Sequence, residues 1–345
     1  MKRKFYILSA FAIIALGGIF AGCSNCETCG YAEVVPGEIY LTSKSANTSI
    51  GCIYSLNSDG QNVRIVSENA SLISAPSGAG YLLMRTAEDR IRVYDIMNEG
   101  FLPDAFFPDS VSYSYASGTG CISSDGKFCI LADADGGSIV KVDLWTGETL
   151  LMIKNSSLVA SPVLSPNAEK AIFVSAANKI CVYDVKADLI NEFTLPESAE
   201  NYVFDAVTCD DEYAYIPYKF EDKYRIFRLD IDDGSVIFLN PESCSGMPAI
   251  VAGKNELIYS DANGDLHKAV FSTAADSLPA TDEIFYGVNP DEKCCLYGYS
   301  SAKNSIVFTV QKAESQADVG SFFVYNFNTG KSVYLFSNVV SGYWY

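Results

Sequence analysis

The chain has 345 residues, with 24 Lys and Arg against 42 Asp and Glu, a formal net charge of −18 and a single histidine. Such an acidic surface argues against nucleic acid as a partner, because phosphate groups reward clustered Lys and Arg. One histidine also excludes zinc sites that need two or three imidazoles, and it is the only candidate for a Ser-His-Asp triad.

Residues 1–22 have the pattern of an export signal. Residues 2–4 are basic, residues 5–20 are almost entirely apolar, and Ala21 and Gly22 are small. The apolar segment is shorter than the roughly 20 residues that span a membrane, so the pattern indicates a secretory signal. Cys23, directly after the small pair, resembles the lipobox cysteine of bacterial lipoproteins. That resemblance implies cleavage before Cys23 and lipid attached to its thiol; an ordinary cleaved signal or an uncleaved anchor is the alternative.

A short polar tether, "SNCETCGYAEVV", follows the lipidated cysteine. Cys26 and Cys29 form a Cys-x-x-Cys pair, but no strand-helix pattern surrounds them as a thioredoxin-like redox motif requires. We predict a structural or incidental pair. Twelve tether residues reach at most about 40 Å when fully extended, so the folded part is expected to stay near the membrane surface.

From residue 36 onward, short runs rich in Val, Ile, Tyr and Phe alternate with turn residues, which predicts strands throughout. The clearest unit is "GCISSDGKFCILADADGGSIVKVDLWTGETLLMI", which reads as four antiparallel strands. Similar units recur about every 40 residues. In six of the seven units the third strand ends in Asp or Asn at a turn: Asn57, Asp95, Asp143, Asp184, Asp230 and Asn326.

A four-stranded repeat of about 40 residues predicts an all-β fold, a β-propeller. We count seven blades, with six or eight as alternatives. The first unit lacks a first strand, and the tail "SNVVSGYWY" supplies one, so the C-terminal strand is predicted to pair in the first blade and close the ring. The chain therefore divides into a signal peptide (1–22), the lipidated cysteine and tether (23–35) and one propeller domain (36–345).

Several segments resemble known propeller repeats. "IYSLNSDGQNVRIV", "SPNAEKAIFVS" and "SSDGKFCILAD" are similar to the strands and Ser-Pro-Asp-Gly-Lys turns of TolB-like and WD-type propellers, and "DLWTGE" resembles the repeat of quinoprotein-like propellers. The resemblance covers nearly all of the chain after the signal. It implies a fold, and by analogy with TolB-like and BamB-like proteins it implies a role in the cell envelope.

No catalytic residue and no cofactor is predicted. His267 lies in the predicted third strand of the sixth unit and is expected to be a packed or surface residue; no nucleophile elbow or phosphate loop occurs. Two acidic loops are weak metal candidates, through Asp133 and Asp135 and through Asp261 and Asp265. Neither completes a calcium-loop pattern, so turn formation is the expected role and a structural cation the alternative.

Aromatic residues are the candidates for a binding surface. Tyr113 and Tyr115 lie in the longest connection between units, Trp145 occupies a hairpin turn, and Tyr286 and Tyr299 fall in the last part of the chain. Tyrosine and tryptophan are favoured at interfaces and sugar platforms. Packing between blades is the alternative for each of them.

These observations together predict an exported lipoprotein, anchored by lipid to the bacterial envelope, with the outer membrane as the expected site. The expected function is non-enzymatic binding or scaffolding of protein, peptide or glycan. One alternative is a carboxylate- or cation-dependent lyase or hydrolase, with its site among the acidic loops at the propeller mouth. Another is a glycan-binding accessory lipoprotein of an uptake system.

Overall fold

The computed structural model describes residues 37–44, 50–88, 90–102, 120–132, 138–154, 162–175, 179–195, 201–202, 207–220, 223–245, 249–273, 276–314 and 319–345. Across these ranges every sheet is antiparallel and no helix is present. Consequently, none of these residues forms an apolar helix able to cross a membrane.

The first half of the domain contains a first unit of three strands, followed by three four-stranded units. Unit 1 holds β1 (Ile39–Ser43), β2 (Cys52–Leu56) and β3 (Arg64–Ser67). Unit 2 holds β4 (Ala70–Leu72), β5 (Tyr81–Thr86), β6 (Ile91–Asp95) and β7 (Gly100–Phe101). Unit 3 holds β8 (Gly120–Ile122), β9 (Phe128–Ala132), β10 (Ser138–Asp143) and β11 (Thr149–Lys154). Unit 4 holds β12 (Val163–Leu164), β13 (Lys170–Ser175), β14 (Lys179–Asp184) and β15 (Leu189–Thr194).

The second half repeats the same order. In unit 5 the first strand is split into β16 (Asn201–Tyr202) and β17 (Thr208–Cys209), which both pair β18 (Tyr213–Phe220); β19 (Lys223–Asp230) and β20 (Val236–Cys244) follow. Unit 6 holds β21 (Ile250–Gly253), β22 (Glu256–Ser260), β23 (Leu266–Val270) and β24 (Thr281–Tyr286). Unit 7 holds β25 (Glu292–Ser300), β26 (Ser305–Lys312), β27 (Gly320–Asn326) and the first part of β28 (Lys331–Trp344).

Strand β28 joins the last unit to the first. Its first part pairs β27, and its second part pairs β1 with Ile39 opposite Trp344 and Leu41 opposite Gly342. Asn338 lies where β28 changes partner and has a φ of 56°, a left-handed conformation that asparagine tolerates. This pairing confirms the predicted closure and completes unit 1, and the described strands can be grouped into seven units.

Apolar contacts between neighbouring units hold the ring together. Seven clusters of buried residues occur in the described part of the chain, and each joins two consecutive units, including the last and the first. Strand β9 shows how: Phe128 and Ile130 pack toward unit 4, whereas Cys129 and Leu131 pack toward unit 2. Because successive side chains of a strand point to opposite faces, one strand supplies two interfaces.

The polar residues at the ends of the third strands form the predicted turns. Asp143 Oδ1 accepts the backbone N–H groups of Trp145 and Thr146, each at 2.8 Å. The equivalent carboxylates of Asp95, Asp184 and Asp230 accept two N–H groups in the same way. A short side-chain acceptor at this position closes the turn by itself, which explains why Asp recurs there.

Gly342 is required where β28 passes over the core. A Cβ atom at this position would lie 2.5 Å from Phe322 Cζ and 3.2 Å from Leu41 Cβ. Phe322 is fully buried and has no room to move.

We expect Gly342→Ala to lower the free energy of unfolding by about 1–3 kcal/mol, measured by urea denaturation. Gly298→Ala is the control, since its Cβ would meet no atom nearer than 3.7 Å, and it should change stability by no more than about 0.5 kcal/mol. Equal losses in the two variants would contradict the closure argument.

An ion pair also ties unit 1 to unit 7. Burial raises the pKa of Glu38, but hydrogen bonds from Lys303 and Ser58 outweigh it and lower the pKa from 4.5 to about 2. Because the folded pKa lies below the unfolded one, the pair stabilises the fold above about pH 4.5 and loses this contribution as the pH falls toward 2. We expect the difference in unfolding free energy between the wild type and Glu38→Gln to shrink across that interval in urea titrations. If this difference in unfolding free energy does not change with pH, ionisation of Glu38 contributes nothing to the stability of the fold.

Candidate functional site

The antiparallel order gives the ring two chemically different ends. Turns between first and second strands, and between third and fourth strands, lie at one end, which we call the turn end. Turns between second and third strands lie at the other end together with the connections between units; we call this the loop end. The first strands of units 3 to 7 lie next to one another around the centre, with β12 beside β8 and β21 beside β17 and β25.

A cleft of about 520 Å³ opens at the turn end, and we call it the acidic cleft. It spans the first-to-second-strand turns of units 4 to 7. Its walls include Pro166, Cys209, Asp210, Asp211, Glu212, Tyr213, Tyr215, Ile250, Lys254 and Tyr299. Three consecutive carboxylates beside tyrosine rings make this opening acidic and aromatic, a surface suited to a cationic ligand.

Asp210 organises the acidic wall. Its Oδ1 accepts the N–H groups of Glu212 and Tyr213 at 2.8 and 2.6 Å, and its Oδ2 accepts the Tyr215 hydroxyl at 3.0 Å. Asp211 Oδ1 accepts the N–H of Asn167 from unit 4 at 3.0 Å. Asp210 is thus committed to the turn, whereas the exposed Asp211 and Glu212 project their charge into the opening.

A buried cation lies behind this wall. Arg228 on β19 is 2% exposed, and its guanidinium carbon lies 4.8 Å from the centre of the Tyr213 ring. Its Nε and Nη2 atoms have no hydrogen-bond partner among the described residues. Burial and Asp210 raise the pKa of Tyr215 above its ordinary value, although Arg228 lowers it, so the Tyr215 hydroxyl remains a donor. Burial likewise raises the pKa of the Cys209 thiol, which is therefore a poor nucleophile.

The predicted aromatic candidates separate into different environments. Tyr299 lines the acidic cleft, and its hydroxyl donates to Asn304 Oδ1 at 2.8 Å. Trp145 is 61% exposed in its turn at the same end of the ring. Tyr286 instead packs edge-on against Phe308, with ring centres 4.8 Å apart, as an inter-unit core residue does. The other candidates, Cys23, Tyr113, Tyr115, Asp133 and Asp135, lie outside the described residues.

A second cleft, of about 750 Å³, opens at the loop end, and we call it the loop cleft. Both remaining metal candidates line it. Asp261 Oδ1 accepts the N–H groups of Asn263 and Asp265, each at 2.9 Å, and Asp265 Oδ1 accepts the N–H of Val288 at 2.8 Å. The first two contacts lie within the turn, and the third joins the turn to the segment that follows β24. Within the described ranges, no three His, Cys, Asp or Glu side chains come together as a metal site.

His267 borders this turn in a setting that the sequence did not reveal. The residue is 9% exposed, its Nδ1 lies 3.0 Å from Asp282 Oδ1, and its Nε2 lies 3.5 Å from Asp261 Oδ2. Tyr259 stacks on the imidazole with ring centres 5.0 Å apart. The expectation of a packed histidine agrees with this burial. The two flanking carboxylates were missed, because Asp282 reaches His267 only through the pairing of β23 with β24.

Comparisons with known proteins address the fold. No protein-family model matches the sequence, and no curated protein matches it. Among solved structures, the chain is similar to TolB from Acinetobacter baumannii, with a TM-score of 0.50 and 14% identity over 89% of this chain and 66% of that chain. It is similar to a puromycin-hydrolyzing peptidase of Mycobacterium tuberculosis, with a TM-score of 0.58 and 16% identity over 88% of this chain and 53% of that chain. The WD40 repeats of RRP9 give a TM-score of 0.52 and 11% identity over 80% of this chain and 82% of that chain.

These similarities confirm the predicted fold: the chain is a β-propeller of the kind found in TolB and in WD40 repeat proteins. The identities are too low to carry an activity from one protein to the other. The chain also spans only about two thirds of the TolB chain and about half of the peptidase chain. The function therefore has to be argued from the two clefts.

Proposed function

We propose that this protein is an exported, lipid-anchored β-propeller of the bacterial cell envelope that binds a protein partner through the acidic cleft. The acidic cleft carries the proposal, because it combines an opening across four units with exposed carboxylates and tyrosine rings. A basic, extended segment of a partner is complementary to such a surface. The net charge of −18 would speed the approach of a basic partner over longer distances.

The chemistry of the cleft favours binding over catalysis. Asp210 is occupied by three hydrogen bonds, and Asp211 holds the neighbouring turn through Asn167. General acid–base catalysis by carboxylates needs two groups that face one reacting bond and differ in protonation. The acidic wall instead presents consecutive carboxylates on one side of the opening, which is the arrangement of an electrostatic contact surface.

Partner binding is tested with native envelopes. The lipidated wild type is used to capture its partner, which is then purified so that its dissociation constant can be measured. We expect Asp211→Asn combined with Glu212→Gln to weaken binding at least about tenfold, because two charges of the acidic wall are lost while the oxygen that accepts Asn167 N–H is retained. Added salt should weaken wild-type binding more than variant binding.

Asp59→Asn is the matched control, since Asp59 lies in an exposed turn of unit 1 and accepts only the N–H of Gln61 in the contacts described. Its binding should equal that of the wild type. Capture of the same partner with unchanged affinity by the double variant would move the interface away from the acidic cleft. Failure of the wild type to retain any protein, or retention of glycan alone, would refute a protein partner.

The anchor has its own test. We expect Cys23→Ala to move the protein from the membrane fraction to the soluble envelope fraction, because the thiol that would carry the lipid is lost. Incorporation of labelled palmitate into the wild type and not the variant is the direct measurement. Cys26→Ala, which changes the neighbouring cysteine, should leave both results unchanged. Membrane association that persists without Cys23 would favour an uncleaved anchor.

A further inference from the structure

One strand edge of unit 6 faces the acidic cleft without a partner strand. β21 is the first strand in the sheet of β21, β22, β23 and β24, and it pairs only with β22. In the described part of the chain, no backbone hydrogen bond joins its other edge to another strand. In an antiparallel pair every second residue turns its N–H and C=O groups away from the neighbouring strand. β21 therefore presents unpaired donors and acceptors along what we call its free edge.

The lining of the cleft shows that the backbone of this edge is open to it. All four residues of β21, Ile250–Gly253, line the cleft in succession. Successive side chains of a strand point to opposite faces, so one face alone would contribute only every second residue. Ala252 is buried and the other three residues are half-buried. Four consecutive lining residues therefore indicate that the free edge itself forms part of the wall.

The two faces of the unit 6 sheet meet different chemistry in the cleft. One face packs on unit 5 and the other packs on unit 7. On the side of unit 5 the cleft carries the exposed Asp211 and Glu212, and on the side of unit 7 it carries Tyr299 and Ser301. A strand added to the free edge of β21 would extend this sheet. Its side chains would then point alternately toward the acidic wall and toward Tyr299.

Charge favours cations on the first of these sides. Among the described residues that line the cleft, the three carboxylates of Asp210, Asp211 and Glu212 outnumber the one ammonium group of Lys254. Lys254 lies beyond β21, in the turn that leads to β22. The acidic wall therefore attracts Lys or Arg side chains of a ligand, whereas the Tyr299 ring offers an apolar contact on the other side.

The dimensions of the cleft fit a short extended segment. Four residues of a strand extend about 13 Å, which is the length of β21 available for pairing. The volume of about 520 Å³ lies within the range of sites that enclose small ligands or short peptides. A folded domain is too large to enter, so the occupant is a tail or a loop of the partner.

We propose that the acidic cleft binds its partner by strand addition. An extended segment of the partner pairs with the free edge of β21, its basic side chains face Asp211 and Glu212, and its apolar side chains face Tyr299. This inference rests on the proposed function and adds how the partner is recognised. Main-chain hydrogen bonds supply affinity that is independent of sequence, and the two faces supply specificity. The segment recognised is thus one in which Lys or Arg alternates with apolar residues.

Synthetic peptides test this mode of binding on the full-length lipidated chain in detergent. The first peptide is Lys-Val-Lys-Val-Lys with blocked ends, and its dissociation constant is measured by isothermal titration calorimetry. The second peptide, Lys-Lys-Lys-Val-Val, has the same composition and charge but does not alternate. We expect the alternating peptide to bind at least about tenfold more tightly, because only its three cations all point to the acidic wall when it is extended.

Methylation of peptide amides shows whether the backbone takes part. One version of the alternating peptide carries methyl groups on two lysine amides, and the other carries them on both valine amides. Alternate amides point to opposite edges of an added strand, so only one version loses its hydrogen bonds to β21. We expect that version to bind about tenfold more weakly and the other, which is its matched control, to change by no more than about twofold.

Two measurements on the protein complete the test. The bound peptide should slow amide hydrogen exchange in Ile250–Gly253 at least about fivefold and leave exchange at Gln61, in an exposed turn of unit 1, unchanged. Asp211→Asn combined with Glu212→Gln should weaken binding of the alternating peptide at least about tenfold, whereas Asp59→Asn should bind it as the wild type does.

Strand addition is overturned by an alternating peptide that binds no better than the permuted one, by equal effects of the two methylated versions, or by unchanged exchange in β21. If the partner captured from envelopes still depends on Asp211 and Glu212, the proposed function remains and only this mode of recognition is rejected. If the double variant binds both the peptide and the captured partner as the wild type does, the acidic cleft is not the site, and the proposed function fails together with this inference.

Discussion

Packing between adjacent sheets is the constraint on which the rest of this structure depends. Each inner strand must be apolar on both faces, because one face meets the preceding unit and the other meets the following unit. Ile39 and Leu41 pack toward unit 7, while Tyr40 between them packs toward unit 2. Polar side chains are therefore displaced to the two ends of the ring, where turns and connections have access to water. Both clefts arise at these ends for that reason.

The interface between units 5 and 6 departs from this rule. Arg228 contributes a buried cation near the turn end, and His267 contributes an imidazole near the loop end of the same interface. Burying such groups is costly unless neighbours compensate. Tyr213 lies under the Arg228 guanidinium, and two carboxylates flank His267. This one interface therefore carries a buried polar side chain near each end of the ring.

Much of the fold could be predicted from the sequence, because it depends on local sequence patterns. In four units the Asp at the end of the third strand closes its own turn, as Asp143 does, and the tail repeats the pattern of a first strand. The residues that line the two clefts could be predicted far less well. Tyr286 and Tyr299 look alike in sequence and both pack against the apolar cluster of units 6 and 7, yet of the two only Tyr299 also lines the acidic cleft, since alternation cannot distinguish faces when both are apolar. The neighbours of His267 depend on strand register, which no local pattern specifies.

The same reasoning explains why similarity of fold carries so little information about function here. Interior packing demands only apolar side chains of suitable size at alternating positions, and many sequences meet that demand. The turns are under no such constraint once each is closed by a residue such as Asp210 or Asp261. Glu212, next to such a residue, makes no side-chain contact described here, so its charge can change without loss of the ring. Binding chemistry can therefore change at either end while the propeller is retained, and the chemistry of each end has to be established from its own residues.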